Sequence, residues 1–217
     1  MKKALIILFS LVVTFQGFGQ QDSKAKEILS KVTEKTKGYQ SIEATFSFVM
    51  NNVAENIQEN NKGTIVLKGN KYKVRIPDMG LEIYCDGSSI WTYLQNANEV
   101  NISTLDEDAD NLMNPSRIFT IYERGFNSKY VGESVVDGIP VYSIDLIPEN
   151  DEMEIEQIRI IIDKQKMLVR SAEMKGKDGN NYHVSIDQFK TDIAYPDTAF
   201  VFDPAKHEGV QVVDMRY

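Results

Sequence analysis

The side chains able to do chemistry are few and badly spaced for it. The two histidines, His183 and His207, stand far apart, and Cys85 is the only cysteine. A histidine-based triad, a zinc site and an internal disulfide therefore have little or nothing to work with. Asp106, Glu107, Asp108 and Asp110 crowd one stretch, but they lack the alternate spacing and the glycine of a calcium loop, so they read as a solvated acidic loop. Asp163, Glu173 and Asp187 fall in strand-like segments. They could pair carboxylates across strands for acid–base work, although outward charges on strands are expected anyway. No phosphate loop, dinucleotide fingerprint or nucleophile elbow occurs. The expectation is a protein that is not an enzyme, holds no metal and needs no cofactor. A lone cysteine in an apolar strand reads as a small buried hydrophobe.

What remains is apolar patterning. Ala25, Ile28, Leu29, Val32 and Thr36 recur at helical spacing and predict a helix over 24–37, capped by Asp22 or Ser23 and ended by Gly38. Its stripe is narrow, so it should lie on a surface rather than run through a core. Beyond it the period falls to two. Phe46, Phe48 and Met50 alternate with Thr45, Ser47 and Val49, Ile65 and Leu67 with Thr64, Val66 and Lys68, and Tyr72, Val74 and Ile76 with Lys71, Lys73 and Arg75, before Leu81, Ile83 and Cys85. Asp86-Gly87, Asp137-Gly138 and Asp178-Gly179 punctuate the pattern as hairpin turns. Asn114-Pro115 opens a short predicted helix over 116–124 carrying Ile118, Phe119, Ile121 and Tyr122.

About ten or eleven short strands with two inserted helices predict a mainly β (α+β) fold, one large curled antiparallel sheet or open barrel. Phe46, Phe48, Met50, Ile65, Leu67, Tyr72, Val74, Ile76, Leu81 and Ile83, continued by Trp91 and Tyr93, form its candidate interior face. These are either ordinary core or the wall of a cavity beneath a lid made by the helix and the Ile118–Tyr122 segment.

The N-terminus carries Lys2 and Lys3, a run of about 12 mostly apolar residues from Ala4 to Phe15, and small residues at Gly17 and Gly19. That is the pattern of a cleaved signal peptide over 1–19, and it is too short for a span needing roughly 20 apolar residues. A single domain over 20–217 is expected to follow. The net charge of −8 becomes −10 once Lys2 and Lys3 are removed, which disfavours nucleic acid and anionic membranes as partners.

The order Gly63-Thr-Ile-Val-Leu-Lys, Tyr72-Lys-Val-Arg-Ile-Pro77, Asp86-Gly87-x-x-Ile90-Trp91-x-Tyr93 and Phe200-x-Phe202-x-Pro204 resembles the outer-membrane lipoprotein carrier (LolA) family. The resemblance covers nearly the whole mature chain. It implies a half-open antiparallel β-barrel of the LolA/LolB kind with helices as a lid. It also implies a monomeric periplasmic carrier of acylated lipoproteins, loaded by an inner-membrane ABC transporter and unloaded to an outer-membrane acceptor. The acyl cavity so implied is lined by Phe46, Phe48, Met50, Ile65, Leu67, Tyr72, Val74, Ile76, Ile83, Trp91, Tyr93, Ile118, Phe119 and Tyr122. Other readings are a carrier of another lipid or hydrophobic pigment, and a protein-binding periplasmic sensor module of the same fold. In one respect the chain departs from the pattern. Where family members carry a lid-bonding arginine, this chain has Gly69, with Lys68 and Lys71 as the nearby cations.

Overall fold

The computed structural model describes residues 18–105, 121–123 and 125–216. Helix α1 (Phe18–Lys37) is followed by β1 (Ile42–Asn52), β2 (Ile57–Lys68), β3 (Lys71–Ile76), β4 (Leu81–Cys85), β5 (Ser89–Leu94) and β6 (Glu99–Thr104). After a 3₁₀ turn at Ile121–Glu123 come β7 (Phe126–Val136), β8 (Ile139–Pro148), β9 (Ile155–Asp163), β10 (Leu168–Gly176), β11 (Asn180–Thr191) and β12 (Gln211–Asp214). All twelve strands among the described residues form one sheet in the order β12-β6-β5-β4-β3-β2-β1-β11-β10-β9-β8-β7. Neighbours are antiparallel except β12, which lies parallel to β6. β7 and β12 are its two edges, so the curled sheet stays open.

The apolar stretch 210–213, which reads in the sequence as an extended tail closing the sheet, supplies β12 and brings the described strands to twelve, above the expected ten or eleven. The polar run Gln58–Lys62 is also strand, since it pairs residue by residue with β1; pairing overrides its weak β propensity. The turn signals hold. Asp137 and Gly138 take φ of 51° and 76°, the left-handed pair that a two-residue hairpin needs. At the β4–β5 turn the Asp86 carboxylate accepts from the amides of Ser88 and Ser89 at 2.9 and 2.8 Å. Burial there raises the Asp86 pKa, but these bonds outweigh it and hold the carboxyl below its ordinary value.

Register defines the two faces. Ile144 pairs with Ile160, Ile160 with Ala172, Ala172 with Val184 and Val184 with Phe48. Four residues earlier on β1, Ala44 pairs with Ile65, Ile65 with Val74 and Val74 with Ile83. These residues share one face, and α1 lies on it. Ala25, Ile28, Leu29 and Val32 are buried against Ile144, Leu146, Ile158, Ile160 and Ile162. Burying each large aliphatic side chain contributes about 1.5–3 kcal/mol, so this stripe fixes the helix on the β7–β10 half. The helix starts earlier than the sequence signals suggest. Asp22 and Ser23 lie inside it and are not its caps.

The opposite, outer face has its own core. The segment after β11 crosses it, setting Phe202 against Tyr84 and Tyr93 at ring separations of 5.8 and 5.0 Å. Phe200 and Phe202 are buried there.

Candidate functional site

The inner face divides into two apolar regions. Over β7–β10 it is covered by α1. Over β1–β5 it carries Ile42, Ala44, Phe46, Ile65, Leu67, Tyr72, Val74 and Cys85, all buried. Between and beside them the apolar residues are only partly covered. Phe48, Ile76, Ile83, Ile90, Val184 and Ile186 pack on the second region, and Ala172 and Met174 on the first. Phe48 stacks on Tyr182 at 5.9 Å. The strip ends in polar residues, since Ile83 pairs with Thr92 and Thr92 with Asn101. A continuous row of half-buried aliphatic and aromatic side chains with a polar border shields apolar surface from water and offers no convergent polar groups for chemistry.

The expected site residues therefore separate. Phe46, Phe48, Met50, Ile65, Leu67, Tyr72, Val74, Ile76 and Ile83 share the inner face. Trp91 and Tyr93 do not. Cys85 pairs with Ile90, and Tyr84 with Trp91, so Ile90 takes the inner position while Trp91 joins Tyr84, Tyr93 and Phe202 in the outer core. The reason is turn length. Partners across this hairpin have opposite parity, so the inward set changes from odd to even residues at the turn. Ile118 and Phe119 lie outside the described residues. Tyr122 is buried against α1 and accepts a hydrogen bond from the Thr33 hydroxyl at 3.2 Å, and burial pushes its phenol up to about 12. Lys37 pairs with Glu123 at 2.8 Å, so the 121–123 turn is tied to the helix. Val184, Ile186, Ala172 and Met174 were missed. Their alternation is visible in the sequence, but their face depends on the pairing of β11 with β1 and of β10 with β11, which local pattern does not carry.

The other end of α1 is held by charge. The Lys24 ammonium donates to the Tyr130 hydroxyl at 3.0 Å and to Glu133 at 3.3 Å, and it lies 4.1 Å from the centre of the Tyr130 ring. Lys164 also pairs with Glu133. The Tyr130 bond chiefly raises the Lys24 pKa, with Glu133 adding to it.

Lys68 and Lys71 do not replace a lid-bonding arginine. Both point outward and hold Asp197 at 2.8 Å each, and Lys68 also donates to the Tyr195 carbonyl oxygen at 2.9 Å. Gly69 sits in the β2–β3 turn with φ of 59° and open space around it, as a tight turn requires.

The candidate catalytic groups stay apart. Asp163 caps the β9–β10 turn through the amides of Gln165 and Lys166. Glu173 meets His183 at 3.5 Å, and Asp187 accepts from the Ser47 hydroxyl at 2.8 Å. His207 stacks on Phe202. Cys85 is fully buried, and burial raises its thiol pKa. The 106–110 acidic loop lies outside the described residues, and no group of metal-ligating side chains occurs among those described.

Comparison with known proteins agrees with this architecture. The family model for the outer membrane lipoprotein carrier protein LolA matches residues 15–180. An uncharacterized protein of Methanocaldococcus jannaschii is 28% identical over 216 residues, 98% of this chain and 60% of that protein, so this chain spans well under two thirds of its length. An uncharacterized conserved protein from Thermus thermophilus superposes with a TM-score of 0.61 at 14% identity, covering 88% of this chain and 99% of the other. A DUF1329 family protein from Desulfovibrio piger gives a TM-score of 0.50 at 12% identity, covering 88% and 99%. At these identities the two structures establish a shared fold.

Proposed function

The chain belongs to the family of the outer membrane lipoprotein carrier protein LolA, and from that premise we propose that it carries the acyl chains of lipoproteins on its inner face. The observation that supports this most is the half-buried row Phe48, Ile83, Ile90, Val184 and Ile186 beside a helix-covered core. Each acyl methylene withdrawn from water is worth about 0.8 kcal/mol, so a lipid anchor crosses an aqueous compartment only when covered. It must also be released, and a partly open apolar surface allows release better than a sealed core does. Binding, not catalysis, is the role this surface suits.

In this reading residues 1–19 direct export and are removed, 20–217 form the single carrier domain, and the periplasm is its place of work. An inner-membrane ABC transporter supplies the lipoprotein and an outer-membrane acceptor takes it. No helix among the described residues is long and apolar enough to cross a membrane. The test is purification from the native periplasm followed by native mass spectrometry, together with titration of a fluorescent fatty-acid probe. Co-purifying lipopeptide and saturable probe binding are expected. A bound lipid without a peptide would point to another lipid cargo. Absence of both would refute the carrier role.

A further inference from the structure

A second concavity lies on the outer face, away from the proposed acyl surface. Its floor is a block of four residues from two paired strands, Thr64 opposite Arg75 and Val66 opposite Lys73. Its roof is the segment after β11, contributing Tyr195, Ala199 and Phe200. The cleft encloses about 220 Å³, and an apolar cavity of about 150 Å³ is already enough for benzene. The roof is firmly held. Lys68 and Lys71 grip Asp197, Tyr195 bonds to Glu43, and Phe200 is wholly buried.

The charges around the cleft do not balance. Three carboxylates serve it, and each is shared by two donors. Glu43 is met by Lys190 and Tyr195, Asp197 by Lys68 and Lys71, and Glu82 by Arg75 and Tyr84. Of the five cations around those three anions (Lys68, Lys71, Lys73, Arg75 and Lys190) only Lys73 and Arg75 line the cleft, and against Glu82 they leave one positive charge in excess there, on a protein whose net charge is −8. Lys73 is the unmatched one. Its ammonium lies 4.6 Å from the centre of the Tyr84 ring, and among the described residues no carboxylate stands within ion-pair distance of it. Arg75 meets Glu82 through Nε, so its two terminal amines are not used in that bond.

We propose that this outer cleft is a binding site for a phosphate monoester, its phosphate set between Lys73 and Arg75 and a small apolar body resting against Val66 and Phe200. A phosphate monoester carries about −1.5 to −2 charges at pH 7, enough to meet both the Lys73 ammonium and the Arg75 terminal amines that Glu82 does not engage, whereas a carboxylate supplies about half of that. Arginine and lysine together also supply the forked and point donors that phosphate oxygens accept. Burial lowers the Lys73 pKa, with repulsion from Arg75 and Lys206 adding to it against the pull of Glu82.

The test is calorimetric titration with phenyl phosphate, benzoate and inorganic phosphate, with nitrogen-15 NMR shift mapping of the phenyl phosphate complex. Phenyl phosphate should bind at least tenfold more tightly than either of the others and shift Thr64, Val66, Lys73, Arg75, Ala199 and Phe200. Lys73→Met should weaken it at least tenfold, while Lys129→Met, an equal charge change on β7, should leave it unaltered. Benzoate binding equally well would overturn the phosphate assignment, and inorganic phosphate binding equally well would overturn the apolar body. Shifts confined to other residues, or equal loss in both lysine variants, would remove the site. The acyl probe should bind Lys73→Met as it binds the wild type, so this proposal and the carrier role fail separately.

Discussion

Phe48 and Trp91 are both half-buried aromatic residues, and they lie on opposite faces of the same sheet. Truncating each to alanine therefore separates the acyl surface from the outer core. Deleting a buried aromatic side chain costs about 3–5 kcal/mol, so partial exposure should bring each variant to roughly half of that in folding stability. Their effects on ligand should differ. The Phe48 ring is wide enough to cover roughly two acyl methylenes, and exposing those to water costs about 1.6 kcal/mol at about 0.8 kcal/mol each. At about 1.4 kcal/mol per tenfold, Phe48→Ala should raise the Kd for a fluorescent fatty acid about 14-fold. Trp91→Ala should leave it within about twofold, because removing that side chain uncovers no part of the inner face. Probe displacement under conditions where both variants remain folded by circular dichroism measures the difference. Weaker binding by Trp91→Ala than by Phe48→Ala would refute the assignment of faces.

Three further outcomes follow from the packing and the charges. Gly63→Ala should destabilise the fold by about 1–3 kcal/mol in urea melts, because a Cβ there would meet the Phe46 ring and lie 2.7 Å from the Arg75 carbonyl oxygen; an unchanged midpoint would contradict that contact. Hydrogen bonds from Lys68 and then Lys71 depress the Asp197 pKa from 3.8 to about 2, so the stability it lends is present above its unfolded value and disappears as pH falls from about 4 towards 2. Emission from Trp91, the only tryptophan, should report loosening of the outer segment across that window in the wild type and a smaller change in Asp197→Asn; identical titrations would exclude Asp197 as the cause. Lys24→Met removes the tie from α1 to Tyr130 and Glu133, so amide exchange along the helix should quicken and probe association should speed up. Unaltered exchange would show that the apolar stripe alone holds the helix.

The sequence was most legible where a local pattern decides the outcome. The stripe Ala25, Ile28, Leu29, Val32 and Thr36 is buried to the last residue, and Asp86-Gly87 and Asp137-Gly138 turn as their conformational preferences require. The inner set from Phe46 to Ile83 followed from alternation alone. Trp91 and Tyr93 did not, because their face depends on how many residues the preceding turn consumes, and a change of one reverses every side chain. Val184 and Ile186 depend on pairing between strands distant in the chain. The apolar residues Val210, Val212 and Val213 mark an extended tail that closes the sheet, but that it does so by parallel pairing with β6 is fixed only by the fold.

The central claim is that acyl chains lie on the inner face. A fatty acid carrying a photoreactive diazirine, bound and irradiated, followed by peptide mass spectrometry, tests it directly. The account predicts adducts on peptides containing Phe48, Ile83, Ile90 or Val184. Adducts concentrated on peptides of the outer core, around Tyr84, Phe202 and Val210, would contradict it.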